Sequence, residues 1–289
     1  MATDIAELIE EGVVRLARVS DQPRHEAEIL LAAALAKPRS YLIAHPEQRV
    51  LDCEATDRYE AHITRRAHGE PVAYILGEKE FWSLSLQVGP DVLIPRPETE
   101  LAVELALTHL PAGTPGRVLD IAAGSGAIAL AIAYERPRMH VIGTDISVPA
   151  VHLAQYNAAH LGLGNVEFRR GPWYEPARGE RFHLIVSNPP YIAEDDPRVE
   201  RGVRRFEPHA ALFAGPTGLE ALRVLASGAP GHLVPGGWLV VEHGDTQGQA
   251  VRELFEQADL RAVQTMRDLA GRDRCTQGCW SGAHPHAGA

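Results

Sequence analysis

The stretch "FHLIVSNPPY" ends an apolar run at Asn188, Pro189, Pro190 and Tyr191. Each proline fixes its own φ, lacks an N–H, and pushes the residue before it towards extended backbone, so the segment forms a stiff turn. Its carbonyls have no N–H of their own neighbourhood to serve, and Asn188 sets a side-chain oxygen beside them. The result is an acceptor-rich mouth with Tyr191 as a flat wall. A group suited to that mouth carries two N–H donors on a planar nitrogen, as in a carboxamide or the exocyclic amine of a base. Such nitrogens are poor nucleophiles because their lone pair is delocalised. Holding both hydrogens in acceptors aligns the nitrogen for attack and favours the positive charge that builds as a bond forms. The plainer alternative is a proline turn that merely caps a strand.

A second constellation lies upstream. In "DIAAGSGAIALAIA", Gly124 and Gly126 allow a tight turn between a strand and a helix, and let the backbone approach a ligand closely. Asp145 closes the next apolar segment about 20 residues later, the distance at which a carboxylate at a second strand end meets ribose hydroxyls. The pair points to a nucleoside-type cofactor. It does not fit a dinucleotide fingerprint, because Ala129 stands where a third glycine belongs, and no lysine marks a triphosphate loop. A nucleoside cofactor that offers a carbon electrophile is S-adenosyl-L-methionine, whose sulfonium activates a methyl group. In-line transfer to a held NH₂ then needs no strong protein base.

These residues need a frame that brings them to one edge. Strand-like runs at 117–121, 140–146, 166–170, 182–188 and 238–244 alternate with helical stretches at about 126–135, 148–161, 218–230 and 247–258. Continuous apolar strands separated by helices predict a doubly wound parallel sheet covered on both faces. A last pair near 261–268 and 274–280 would complete seven strands with an antiparallel edge. Ligands of such sheets bind beyond the carboxyl ends of the strands, where both constellations fall. Ahead of this domain, helical periodicity in "IAELIEEGVVRLA", "HEAEILLAAALA" and "DRYEAHITRRAHGE" predicts a small helical domain over 1–72. Between them, "PVAYILGEKEFWSLSLQV" reads as two short strands turning around Gly77, a hairpin linker over 73–90, with the remaining residues 91–289 forming the sheet domain.

The 289 residues are 45% apolar, ample for a large core, and carry a net charge of −10 shared between the helical and sheet regions. No basic tail or half emerges, so nucleic acid is not an expected direct partner. The N-terminus is acidic and amphipathic, the wrong polarity for a targeting peptide. No apolar run approaches bilayer length, and we expect a cytoplasmic protein without a membrane partner. Cys275, Cys279, His284 and His286 are metal-ligating types, but their spacing matches no familiar zinc pattern, and no metal is expected.

Further candidates are weaker. In "LIPRPETE", Arg96 lies between Pro95 and Pro97, and Thr99 is placed to cap a helix over 100–110. Phe81 and Trp82 read as hairpin core, and Glu242 and His243 as scaffold at a strand end. Arg198, Arg201, Arg204 and Arg205 follow the proline turn either as a solvated loop or as a lid facing a protein substrate.

The chain resembles the release factor N5-glutamine methyltransferases along nearly its whole length. The likeness is carried by "RHEAEILLAAAL", "GEPVAYILGEKEFWSL", "LIPRPETE", "DIAAGSGAIALAIA", "SNPPYI", "RFEPHAALFAG" and "LVVEHG". The resemblance implies a seven-stranded class I, Rossmann-like S-adenosyl-L-methionine-dependent methyltransferase domain. It implies methylation of the glutamine amide in the Gly-Gly-Gln motif of bacterial class I peptide chain release factors, with the helical domain helping to dock the release factor. Asn188 and the Pro189 carbonyl would grip the substrate amide, and Pro190 and Tyr191 would shape its slot. Ala122, Ala123, Gly124, Ser125 and Gly126 would form the methionine-side loop. Asp145 would clamp the ribose, Trp173 would lie near the adenine, and Asn188 would also face the cofactor. Two positions depart from the family pattern: Ala122 stands where a glycine is usual, and Pro172 stands where an acidic residue often precedes Trp173. The alternatives are a nucleic-acid amino-methyltransferase with the same mouth chemistry, and a non-catalytic binding protein.

Overall fold

The computed structural model describes residues 4–282, which form two compact units. The first runs to Glu78 and takes in Arg201–Phe206; the second comprises Lys79–Glu200 and the chain from Glu207 onward.

The first unit is helical. Helix α1 (Ile5–Leu16) starts at a capping box in which Asp4 and Glu7 satisfy each other's backbone N–H. It buries Ile5, Leu8, Ile9 and Leu16, the helical spacing read in the sequence. Helix α2 (Pro23–Ala34) begins on a proline, α3 (Arg39–Ala44) is a short turn not anticipated from periodicity, and α4 (Cys53–Ala67) is capped by Asp52. Helix α5 (Val72–Leu76) corrects the expected hairpin. Its β-branched and aromatic residues suggest a strand, but Pro71 opens the helix and Gly77 closes it in the left-handed region at φ 78°. Tyr74 and Ile75 are buried there.

Strands β1 (Glu78–Phe81) and β2 (Leu84–Gln87) follow, so the hairpin turns at Trp82 and Ser83, not at Gly77. Both turn residues have positive φ, at 53° and 57°. Glu100 holds the Trp82 N–H and Glu135 the indole N–H, each at 2.9 Å. Phe81 is buried in the core, whereas Trp82 only packs against it.

Then come helix α6 (Glu100–His109), strand β3 (Gly116–Ile121), helix α7 (Ala127–Glu135), strand β4 (Met139–Asp145), helix α8 (Val148–His160), strand β5 (Val166–Arg170) and strand β6 (Phe182–Ser187). Short helices α9 (Arg201–Phe206) and α10 (His209–Leu212) lead to α11 (Glu220–His232), strand β7 (Leu233–Glu242), helix α12 (Gly248–Gln257) and the final strands β8 (Leu260–Arg267) and β9 (Asp273–Trp280). The strand order is β5-β4-β3-β6-β7-β9-β8, parallel except for β9, which runs antiparallel to both neighbours. All seven expected strands are present, and β7 starts earlier than its apolar run because the chain enters it through Pro235 and two glycines across a register shift against β6.

Alternation along the strands feeds two cores. Val118, Leu184, Val186 and Val240 pack with the residues of α6 and α7. Leu119, Ile121, Ile185, Leu239 and Val241 pack with Leu222, Leu225 and Phe255 of α11 and α12. Each fully buried side chain of this size contributes roughly 1.5–3 kcal/mol, so covering both faces rigidifies the central strands. Strand order reverses beside β3, which places the turns after β3 and β6 side by side.

Candidate active site

The turn after β3 is built from an alternation of backbone hands. Ala122 lies at φ 61°, Gly124 at 56° and Gly126 at 86°. The Ala123 N–H reaches the Thr144 carbonyl at 3.0 Å, and the Gly126 N–H closes onto Ala123 at 2.8 Å. The two glycines have different reasons. A Cβ on Gly124 would meet nothing within 4 Å, whereas one on Gly126 would stand 2.8 Å from the Phe168 ring and 3.2 Å from the Ala154 Cβ. Gly124 therefore leaves room for a ligand, and Gly126 lets α7 pack. Ala122 carries a methyl in the left-handed region, a strain of about 1 kcal/mol.

Asp145, at the end of β4, braces this turn. One carboxylate oxygen accepts from the Gly124 N–H and the other from the Ser147 N–H, both at 2.9 Å. Burial raises its pKa against those hydrogen bonds. Asp120, the last but one residue of β3, is 1% exposed. Its Oδ2 accepts from the Ala129 N–H at 3.0 Å, while Oδ1 has no partner. Burial, with the Asp145 charge as a lesser cause, pushes its pKa up to about 8. Sequence reasoning assigned Asp120 no role, although it opens the quoted glycine motif.

The turn after β6 is the opposite in kind. The Asn188 Nδ2 donates to the Thr99 hydroxyl at 3.1 Å, so the Oδ1 end of its carboxamide is the one left for a ligand. The Pro189 ring is buried and Pro190 is partly exposed. Tyr191 differs from the expected slot wall: its hydroxyl turns inward and donates to Glu242 Oε1 at 3.1 Å, and its carbonyl accepts from Gln247 at 2.9 Å. Burial, reinforced by the Glu242 charge, raises its pKa well beyond that of an ordinary phenol. Thr99 also differs from expectation. It makes no side-chain cap on α6, because Pro97–Thr99 already forms a 3-10 turn and Thr99 itself is helical, so its hydroxyl serves Asn188 instead. Arg96 pairs with the buried Glu207, whose other oxygen accepts from the Ile94 N–H at 3.2 Å, fixing the segment that carries Thr99.

A cavity of about 620 Å³ opens between these turns, large enough for a nucleoside-sized ligand. Of the candidate catalytic and cofactor residues, Ala122, Ala123, Gly124, Ser125, Asp145, Trp173, Asn188 and Pro190 line it, as does Thr99; Gly126, Pro189 and Tyr191 are not part of the lining. Pro172, Ile146 and Val224 add apolar wall, and Trp173 is held at φ 47°. The ionisable residues of the lining are Asp91, Asp120, Asp145 and Glu220, with no Lys, Arg or His among the described residues that line it. A polyphosphate would meet only repulsion here, whereas a ligand with positive centres is favoured.

Elsewhere, His243 is fully buried and bonded through its two ring nitrogens to the Gly244 carbonyl and the Thr276 hydroxyl, in keeping with scaffold. Cys275 and Cys279 lie on β9, and His284 and His286 fall outside the described residues. Arg198 pairs with Asp196 and Asp245.

A model of the PrmC N-terminal domain matches residues 7–77, and a model of the methyltransferase small domain matches residues 96–211. The release factor glutamine methyltransferase of Xylella fastidiosa strain Temecula1 is 53% identical over 255 residues, spanning 88% of this chain and 92% of that relative. The Escherichia coli K12 relative of the same description is 43% identical over 270 residues, spanning 93% and 96%. The chain belongs to the release factor glutamine methyltransferases. A crystal structure of a methyltransferase from Pyrococcus furiosus superposes with a TM-score of 0.51 at 19% identity, covering 69% of this chain and 90% of that one. At that distance the likeness is one of fold, the class I methyltransferase fold.

The cofactor of this glutamine methyltransferase is S-adenosyl-L-methionine. The residues present fit it. An unpartnered buried carboxylate oxygen on Asp120 suits a cationic group, the open side of Gly124 admits close approach, and Asp145 offers acceptors beside an apolar slot at Pro172 and Trp173.

Proposed function

We propose that the chain methylates the side-chain amide nitrogen of the glutamine in the Gly-Gly-Gln motif of bacterial peptide chain release factors. The observation that carries this reading is the orientation of Asn188 in the lining: one N–H of its amide donates to Thr99, which leaves the carboxamide oxygen as an acceptor at the edge of a carboxylate-lined cavity. The cofactor, when bound, would supply an activated methyl carbon whose bond to sulfur breaks to leave a neutral thioether.

The residues of the chain do the rest. The Asn188 oxygen and the Pro189 carbonyl accept the two N–H bonds of the substrate amide, turning its nitrogen towards the cavity. As the new N–C bond forms, positive charge grows on that nitrogen, and two acceptors already in place stabilise it without reorganisation. The proton then leaves the product cation to solvent, which needs no basic side chain. Asp145 takes the ribose hydroxyls, Asp120 faces the amino acid end of the cofactor, Ala122–Gly126 shapes the methionine side, and Trp173 with Pro172 packs the base. Pro190 lines the slot, while Tyr191 supports it from behind. The helical unit docks the release factor, and the enzyme works in the cytoplasm; no helix among the described residues is long and apolar enough to cross a membrane.

The test is mass spectrometry of a release factor incubated with enzyme and cofactor. A gain of one methyl on the Gly-Gly-Gln peptide is expected. Labelled nucleic acid with unlabelled protein would transfer the same mouth chemistry to a base amine and overturn the reading.

A further inference from the structure

The turn that grips the substrate and the wall that holds the cofactor belong to different segments, and one side chain that the reaction above does not use is bonded to both. Gln247, half-buried, stands at the N-cap position of α12. Its Oε1 accepts from the Gly244 N–H at 2.8 Å, which closes the turn after β7. Its Nε2 donates to the Tyr191 carbonyl at 2.9 Å and to the Gly218 carbonyl at 3.3 Å. Both amide hydrogens are thus committed. The partners also settle which way the carboxamide points. Turned over, it would set NH₂ against an N–H and its oxygen against two carbonyls.

The two carbonyls matter for where they lie. Tyr191 ends the turn that carries Asn188 and Pro189, whereas Gly218 leads into α11, whose residues Glu220, Ala221 and Val224 line the cofactor cavity. These segments meet closely. Gly218 lies at φ 71°, and a Cβ there would stand 2.4 Å from the Tyr191 carbonyl oxygen and 3.0 Å from both the Ala193 nitrogen and the Gln247 Nε2. Two prolines stiffen the β6 turn internally, but they do not fix its distance from a wall on another segment. Methyl transfer depends on that distance, because misplacing a reacting group by about 1 Å can cost roughly 10²-fold in rate.

We propose that Gln247 is a positioning residue for the transfer: its NH₂ group spans the Tyr191 and Gly218 carbonyls and so sets the distance between the amide-gripping turn and the cofactor wall. Gln247 is not part of the cavity lining, so it acts through these two backbone groups. Beyond the turn, the chain is held by backbone alone. The Ile192 N–H donates to the Leu212 carbonyl at 3.0 Å, and the Ala214 N–H donates to the Ile192 carbonyl at 2.9 Å. That pairing keeps the following segment in place whatever stands at 247, whereas the last carbonyl of the turn itself is held by Gln247. The role therefore predicts a loss of rate with binding and fold retained.

The inference rests on the glutamine-methylating reading, and the experiment separates the two. Methyl transfer to a Gly-Gly-Gln release factor is measured for the wild type, Gln247→Glu and Gln247→Ala, with cofactor affinity by calorimetry and melting temperature alongside. Gln247→Glu keeps the length of the side chain and an acceptor for the Gly244 N–H, but removes both donors. It should lose roughly 10- to 100-fold in kcat. KM for the release factor and cofactor affinity should stay within about 3-fold, the pattern of an alignment that counts only in the transition state. Gln247→Ala, which also lacks the Gly244 acceptor, should be slowed to a similar degree. If Gln247 merely closed the turn after β7, Gln247→Glu would keep wild-type kcat and only Gln247→Ala would suffer. That result, or a loss confined to KM or cofactor affinity, would overturn the proposal. Should Gln247→Glu not fold, Gln247→Ala decides: wild-type kcat in it overturns the role, and slow turnover with intact binding supports it. A wild type inactive on the release factor would instead remove the glutamine reading, and the positioning role with it.

Discussion

The turns after β3 and β6 are neighbours at one sheet edge, yet they are made from opposite materials. The β3 turn places three residues at positive φ, and its Ala123, Gly124 and Gly126 N–H groups are all held inside the protein, that of Gly124 by Asp145. The β6 turn uses two prolines, which remove N–H groups and leave acceptors. One turn needs conformational freedom and accepts an outside carboxylate as a brace; the other needs none and is stiff by covalent structure. The lesson is that a turn shaped by backbone conformation needs a brace from a neighbouring strand, whereas a turn shaped by proline rings carries its own stiffness. Ala122 and Asn188 mark the points on which the two designs depend, a left-handed methyl in the first and an amide held by one hydrogen bond to Thr99 in the second.

Substitutions that break one turn and spare the other sharpen this contrast. The largest effect is expected from Asn188→Ala, which deletes an acceptor aimed at developing charge: kcat should fall by about 10²- to 10³-fold with cofactor affinity nearly unchanged, as read by single-turnover methylation and calorimetry. Retention of most activity would show that the β6 turn is not the amide site. Gly126→Ala comes next and acts through packing on the other turn. A Cβ 2.8 Å from Phe168, at φ 86°, should destabilise the fold by about 1–3 kcal/mol in urea unfolding. An unchanged midpoint would mean that α7 and β5 give way easily.

Asp120 gives a pH signature confined to the β3 side. Its folded pKa is raised from 3.8 to about 8. The folded state thus holds a proton that the unfolded state releases, so its stabilising contribution is full below pH 3.8 and is lost as pH rises towards 8. The melting temperature of the cofactor-free protein should fall more steeply over that window in the wild type than in Asp120→Asn. A cationic ligand beside Asp120 favours the ionised form, so cofactor binding should release protons and tighten with pH up to about 8. Calorimetry in buffers of different ionisation enthalpy checks this, and identical proton release in Asp120→Asn would place the linkage elsewhere. The smallest effect is that of Ala122→Gly. Relief of the φ 61° strain should outweigh the added freedom of the unfolded chain and stabilise the protein by less than about 1 kcal/mol in thermal unfolding. A lower melting temperature would show that the left-handed alanine carries no strain.

Much of the frame was legible because burial on both faces leaves a continuous signal. Strands β3, β4, β6 and β7 follow continuous buried apolar runs, whereas the outer strands β5 and β8 carry mixed polar sequences, and the glycine and proline turns fall at the ends of β3 and β6. The stretch Val72–Leu76 misled for a physical reason: intrinsic β preference is weak, and Pro71 with Gly77 supplies helix start and stop signals that five residues cannot override. Thr99 misled in the same way. Its position before a helix is that of a cap, and only the nearness of β6 gave its hydroxyl a better partner in Asn188.

By itself, the sequence determined what each turn could be: local φ preferences, missing N–H groups and the reach of Asp145 are covalent or near-neighbour properties, and they do not depend on distant chain. Tertiary structure decided how those turns are used. It buried Asp120 and Glu242 in apolar surroundings, brought Thr99 against Asn188 from 89 residues away, and turned Tyr191 inward. Burial and long-range hydrogen bonding are properties of the packed chain, because the desolvation of a carboxylate and the pairing of distant side chains exist only once the surrounding elements have closed around them.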